Sequence, residues 1–203
     1  MTEVYFIRHS KTLKINNNLN SDNLQLQNEK ACLSIDGEIL AKKTFNKSEF
    51  DNIDVLYSSN YVRAIQTAKY LSDKNNIEVN VVSNFGERKH GVNSWNELPD
   101  NFEKRQFEDE NFKLNNGESQ KDVRDRMYKS LMKVLNENKG KKIAIISHST
   151  AMMFLFGIWC NISYDSNSTF NSEVFFDSKW DYCETFKLLF DDNDNLISIE
   201  NIK

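Results

Sequence analysis

The stretch Val4-Tyr5-Phe6-Ile7-Arg8-His9-Ser10 joins a four-residue apolar run to a cation, an imidazole and a hydroxyl. A short β-branched and aromatic run that stops at polar residues reads as a strand covered on both faces, as parallel strands are. Two further stretches have the same form. Ile53–Tyr57 (IDVLY) runs into Ser58-Ser59-Asn60-Tyr61-Val62-Arg63, and Ile143–Ile146 (IAII) runs into Ser147-His148-Ser149. Ile77–Val82 alternates and predicts another strand.

Helical patterns lie between these runs. Ser34 to Asn46 starts with an N-cap residue and carries Ile35, Ile39, Leu40 and Phe45 at roughly helical spacing. Asn60 to Leu71 sets Val62, Ile65, Ala68 and Leu71 on one face. Ser119 to Leu135 does so with Val123, Met127, Leu131, Val134 and Leu135, with Ser119 as the cap. The apolar stretch Ala151 to Cys160 is about half a bilayer span and predicts a buried helix. Phe186–Phe190 and Leu196–Ile202 read as two strands around an Asp/Asn turn. Strands alternating with helices predict an α/β fold, a three-layer α/β/α sandwich with a mostly parallel central sheet and antiparallel additions at the end. Lys14–Lys30 reads as a surface loop. Residues 84–117 form a polar insertion holding Trp95, Phe102, Phe107 and Phe112, of a length that predicts a lid or site wall.

Composition narrows the functional classes. The 203 residues are 39% hydrophobic and 12% aromatic, enough for one sizeable core and short for two domains, so 1–203 is expected to be a single domain. The formal net charge of -4 offers no broad cationic field for nucleic acid or an anionic membrane. Any bound anion must therefore be held by a few placed cations. Glu3 stands where a secretory signal is basic, and three scattered cysteines suggest no disulfide framework, so a cytoplasmic location is expected. Oligomeric state has no signal.

Open α/β sheets keep their sites at the carboxyl ends of the strands. The chain has six arginines and three histidines, and Arg8, His9, Arg63 and His148 all fall just after predicted strands. Two guanidinium forks match a tetrahedral phosphate, and their charge holds nearby imidazoles neutral and nucleophilic. A neutral imidazole beside a phosphoryl group can attack phosphorus, while a second histidine and the arginines bind its oxygens. Such chemistry also calls for a carboxylic acid over the site to protonate the leaving alkoxide. Bland readings stand beside this one: His148 as a capping residue, Arg63 as a solvated helix start, and a zinc site from His9, His148 and a carboxylate, which Arg8 and Arg63 would repel.

These residues carry a resemblance. Arg8-His9-Ser10-Lys11-Thr12 resembles the Arg-His-Gly-Glu-Thr signature of the histidine phosphatase (phosphoglycerate mutase-like) superfamily. In the family's order follow Leu33-Ser34-Ile35-Asp36-Gly37, Ser58-Ser59-Asn60-Tyr61-Val62-Arg63-Ala64-Ile65-Gln66-Thr67-Ala68, Glu87-Arg88-Lys89-His90-Gly91, Asn116-Gly117-Glu118-Ser119 with Arg126, and Ile146-Ser147-His148-Ser149. The resemblance implies His9 as phosphoryl acceptor, Arg8, Arg63 and His148 as phosphoryl ligands, and Glu87 as the acid that later activates water. It implies no metal and no cofactor. Ser10, Thr12 and Ser149 are further substrate-binding candidates by position. Ser10, Lys11 and Ser149 depart from the family's Gly, Glu and Gly, and Lys11 is expected to add a cation at the entrance.

The implied activity is hydrolysis of a small phosphomonoester through a phosphohistidine. Phosphoglycerate mutase-type transfer and a binding protein without turnover are the alternatives.

Overall fold

The computed structural model describes residues 1–15 and 23–202. In chain order the elements begin with β1 (Thr2–Arg8), α1 (Leu24–Lys30), α2 (Ile35–Phe45), β2 (Val55–Ser58), α3 (Val62–Asn75) and β3 (Val79–Val81). There follow α4 (Phe102–Glu108), α5 (Gln120–Glu137), β4 (Lys142–Ser147), α6 (Ser149–Phe156), β5 (Ser168–Phe170), β6 (Glu173–Phe176), β7 (Thr185–Phe190) and β8 (Leu196–Ile202).

The opening apolar run is the middle of the main sheet. Alternation along β1 sends Val4 and Phe6 to one face and Tyr5 and Ile7 to the other, and all four are fully buried. Strand order is β3-β2-β4-β1-β7-β8. The first four strands are parallel, with Val4 opposite Ile143 and Ile7 opposite Ile146, while β7 and β8 add antiparallel beyond β1. Helices α5 and α6 cover the Val4, Phe6, Ile143 and Ile145 face. Helices α2 and α3 cover the Tyr5, Ile7, Ala144 and Ile146 face. This is the expected three-layer α/β/α arrangement. Burial of each large side chain such as Phe6 is worth about 1.5–3 kcal/mol, and Phe6 also meets Phe156 edge-on at 5.7 Å.

Several boundaries and faces differ from the sequence reading. Helix α2 does use Ser34 as cap, its hydroxyl accepting from the Gly37 amide. Its buried face, however, is Gly37, Ala41 and Phe45, while Ile35 and Ile39 are 78% and 62% exposed. The reason is steric: a Cβ on Gly37 would lie 2.0 Å from the Lys11 carbonyl oxygen, so the helix approaches the loop after His9 by its smallest residue. Helix α3 starts two residues late, after a Tyr61 that makes no side-chain cap bond, and buries Arg63, Ala64, Thr67, Ala68 and Leu71 rather than Val62.

The expected 14–30 loop is corrected in part, because Leu24–Lys30 is helical with Asn23 as cap; residues 16–22 lie outside the described residues. Ser119 forms a capping box with Asp122. The 84–117 insertion holds α4 and two 3-10 turns, Trp95–Glu97 and, at its start, Ser83–Phe85. The small β5–β6 hairpin was not foreseen. Among the described residues no helix is long and apolar enough to cross a membrane.

Candidate active site

Parallel pairing in register brings the ends of β1, β2 and β4 to one level, with Arg8 opposite Ser147 and Ser58 opposite Ile146. His9, Ser59 and His148 follow directly, so three segments distant in sequence meet at one sheet edge. The rings of His9 and His148 lie with centroids 5.1 Å apart, and both residues are buried.

Hydrogen bonds fix the proton on each ring. His9 Nδ1 sits 2.8 Å from the Ser10 carbonyl oxygen. A carbonyl only accepts, so Nδ1 carries the hydrogen and Nε2 is left with a free lone pair. In His148 the order is reversed. Nη2 of Arg63 donates to Nδ1 at 3.1 Å, which places the hydrogen on Nε2, and Nε2 donates to Ser59 Oγ at 2.8 Å.

Burial, with the nearby positive charge of Arg63 and Arg8, holds His9 well below its ordinary value of 6.5. His148 is held down in the same way, by burial first and then by Arg63 and its other charged neighbours. Both imidazoles are neutral near neutral pH.

Arg63 reaches the site from the first turn of α3. Its Nη1 donates to the Asn28 carbonyl at 2.5 Å, and its guanidinium lies 4.7 Å from the centre of the Tyr61 ring. Arg8, at the end of β1, donates through Nη1 to the carbonyls of Trp180 and Asp181 at 3.4 and 3.2 Å, and sits 4.9 Å from the Tyr182 ring. Among the described residues its Nε is buried without a hydrogen-bond partner. Burial lowers both guanidiniums from their ordinary value, and Glu87 is near enough to work against that for each.

Glu87 accepts through Oε1 from the amides of Arg88 at 2.9 Å and Ala151 at 3.0 Å, the latter in the first turn of α6. Its Oε2 makes no hydrogen bond among the described residues. A cavity of about 150 Å³ borders it, lined also by Gln25, Glu29, Asn60, Tyr61 and Lys89.

The structure thus brings together Arg8, His9, Arg63, Glu87 and His148. Ser10 is different: its hydroxyl donates to the Gly37 carbonyl at 2.7 Å and its amide to Thr67 Oγ1 at 3.0 Å, and it is fully buried. As placed, Ser10 ties α2 and α3 to the loop, and its expected place among the substrate ligands is not supported by these contacts. Thr12 bridges to Leu33, and Ser149 opens α6 half-buried. Lys11 is not a free entrance cation, since its Nζ pairs with Asp36 at 3.1 Å. Trp95, in the insertion expected to be a lid or site wall, is 56% exposed with its ring against His90.

Sequence reading missed Asn28, Trp180, Asp181 and Tyr182, whose role comes through backbone carbonyls and rings in segments without a motif. Ser59 and Thr67 stood inside a quoted motif but carried no assigned part. Among the described residues no three His, Cys, Asp or Glu side chains are grouped as a metal site needs.

A family profile described as histidine phosphatase superfamily, branch 1, matches residues 4–193. The chain belongs to this superfamily. No curated protein sequence matches it significantly. Several solved structures share its fold at low identity. The mycobacterial glucosyl-3-phosphoglycerate phosphatase with inorganic phosphate superposes with a TM-score of 0.71 at 14% identity, over 99% of this chain and 95% of that one. A mutant of phosphoserine phosphatase from Entamoeba histolytica, in complex with phosphoserine, gives 0.68 at 18%, over 98% and 97%. YhfR of Bacillus stearothermophilus gives 0.67 at 15%, over 97% and 94%. The superfamily's expected three-layer fold is therefore the fold of this chain.

Proposed function

We propose that this histidine phosphatase superfamily member hydrolyses a small phosphomonoester, without a metal, through a phosphohistidine on His9. The observation that carries the reading is the tautomer of His9. A neutral, buried ring whose Nδ1–H is held by a carbonyl presents Nε2 as a nucleophile, with Arg8 and Arg63 beside it for a phosphoryl group.

The lone pair of Nε2 forms the P–N bond as the ester P–O bond breaks in line. The leaving oxygen takes a proton from Glu87 Oε2. Water then attacks phosphorus, gives its proton back to Glu87, and the P–N bond breaks to release phosphate and restore His9. A dianionic phosphoryl group also reverses the local charge. It replaces the Nδ1 contact of His148 with Arg63, and favours a protonated His148 that donates to a phosphoryl oxygen. That two of the solved structures named above are phosphatases supports hydrolysis over transfer to a second hydroxyl.

The test is phosphate release from a broad phosphoester panel in excess chelator, wild type against His9→Ala. Release by the wild type alone is the expected result. Interconversion of phosphoglycerates without net release favours the mutase reading, and no turnover by a folded wild type favours binding alone.

A further inference from the structure

Arg126, on the second turn of α5, makes an unusually complete set of contacts. Nε donates to Glu118 Oε1 at 2.8 Å, and Nη2 donates to Glu118 Oε2 at 3.0 Å. Nη1 donates to the carbonyls of Asn84 at 2.6 Å and Gly86 at 3.0 Å, and Nη2 also donates to the carbonyl of Glu87 at 3.1 Å. Five N–H donors thus meet five acceptors, the full capacity of a guanidinium. Three of those acceptors are carbonyls of one short segment, residues 84–87. Their dipoles converge, which is unfavourable unless a cation sits at the focus.

Glu118 holds the next residues. Its Oε2 accepts from the Lys89 amide at 2.9 Å, and its own amide donates to the Lys89 carbonyl at 2.8 Å. The two chain segments also lie against each other where a Cβ on Gly91 would come within 2.3 Å of the Gly117 nitrogen.

The peptide between Glu87 and Arg88 shows what the clamp does. Its carbonyl accepts from Arg126 at 3.1 Å, with a longer bond from the Tyr61 hydroxyl at 3.4 Å, and its N–H donates to Glu87's own Oε1. In a planar trans peptide these two bonds point opposite ways, so fixing the oxygen fixes the N–H. Arg126 touches none of the groups expected to contact the phosphoryl group. It orients the one peptide that, with the Ala151 amide, aims the carboxylate and leaves Oε2 free.

We propose that Arg126, paired with Glu118, is the positioning residue for the acid Glu87. This rests on the reading of Glu87 as proton donor. A misplaced acid harms only reactions whose leaving group needs a proton, so loss of the clamp must sort substrates by leaving group, where a merely structural role does not.

The experiment measures kcat/KM on aryl phosphates from 4-nitrophenyl phosphate, whose phenolate leaves unprotonated, to phenyl phosphate. Variants are Arg126→Lys, which keeps the charge and loses the fork, Glu118→Gln, and Glu87→Gln as reference. For Arg126→Lys we expect a loss of about 30-fold on phenyl phosphate, with KM little changed, and about twofold on 4-nitrophenyl phosphate. Glu118→Gln, which keeps an acceptor for Arg126, shows a smaller loss of the same selectivity and decides the matter if Arg126→Lys fails to fold. Equal loss on both esters, or no loss, in the folded clamp variants while Glu87→Gln is selective overturns this inference and leaves the acid assignment standing. A Glu87→Gln variant that affects both esters alike overturns the acid assignment and the inference together.

Discussion

Arg63 donates to Nδ1 of His148 across 3.1 Å, so a guanidinium and an imidazole that both belong to the candidate phosphoryl site are hydrogen-bonded to each other. The contact requires a neutral His148. It also keeps a buried cation partnered, with the Asn28 carbonyl on its other arm. These two bonds use two of the five N–H donors of Arg63, which leaves others for an incoming phosphoryl dianion. Arg63→Lys keeps one charge but loses the fork. It is expected to lower kcat/KM on any hydrolysed monoester by about 10²–10³-fold, with a matching loss in competitive inhibition by inorganic phosphate. An effect below about threefold on both readouts contradicts the role given to Arg63.

Arg8 is held by two carbonyls and by the Tyr182 ring. Tyr182→Ala removes a cation–π contact worth about 0.5–2 kcal/mol, leaving the guanidinium less fixed. The expected outcome is a rise in KM of about 3–10-fold with kcat nearly unchanged. Steady-state kinetics on one good substrate checks it, and a fall in kcat at constant KM contradicts it.

Ser10 shows a departure from the family pattern serving the fold. Its hydroxyl donates to the buried Gly37 carbonyl, which also accepts the helical bond of α2. Ser10→Ala removes the Ser10 bond alone and is expected to reduce unfolding free energy by about 0.5–1.5 kcal/mol. Activity at a temperature where the variant is folded should stay within about threefold. Denaturant titration beside kinetics separates the two effects, and lost activity at full stability contradicts the assignment.

Buried neutral histidines make stability depend on pH. His9 and His148 are held well below 6.5, and His90 is lowered to about 4, chiefly by burial and then by Arg88. Their folded values lie below the unfolded one, so the unfolded chain binds more protons as pH drops through 6.5. Unfolding free energy should therefore fall with pH from 7 towards 5, with a slope approaching about 1.4 kcal/mol per pH unit for each such histidine. Denaturant midpoints across that range test it. His90→Gln should flatten the slope by roughly one histidine's share, and an unchanged slope contradicts a neutral buried His90.

Much of the architecture was readable because burial on both faces leaves a dense local signature. The runs at residues 4–7 and 143–146 fell inside β1 and β4, and Arg8, His9, Arg63 and His148 came together as their positions after strands implied. The face of α2 was misread because its contact with the loop depends on Gly37, which carries no hydrophobic signal, while Ile35 and Ile39 mimic a core stripe on the exposed side. The Arg8 wall was invisible for a related reason. Carbonyls of Trp180 and Asp181 do its work, and a backbone group leaves no trace in residue type. Helix α1 escaped notice in a stretch rich in Asn and Gln, where its tertiary contacts, such as Gln25 with the Tyr61 hydroxyl at 2.9 Å, define its place.

The proposed reaction stands on a covalent phosphoryl group at Nε2 of His9. The most direct measurement is rapid quenching of the wild-type chain with a ³²P-labelled monoester that it hydrolyses, followed by mapping of the label. The expected result is an acid-labile, alkali-stable label on the peptide that carries His9, formed and lost fast enough to lie on the turnover path and absent from His9→Ala. Label on another residue, or turnover by a His9→Ala variant at an undiminished rate, contradicts it.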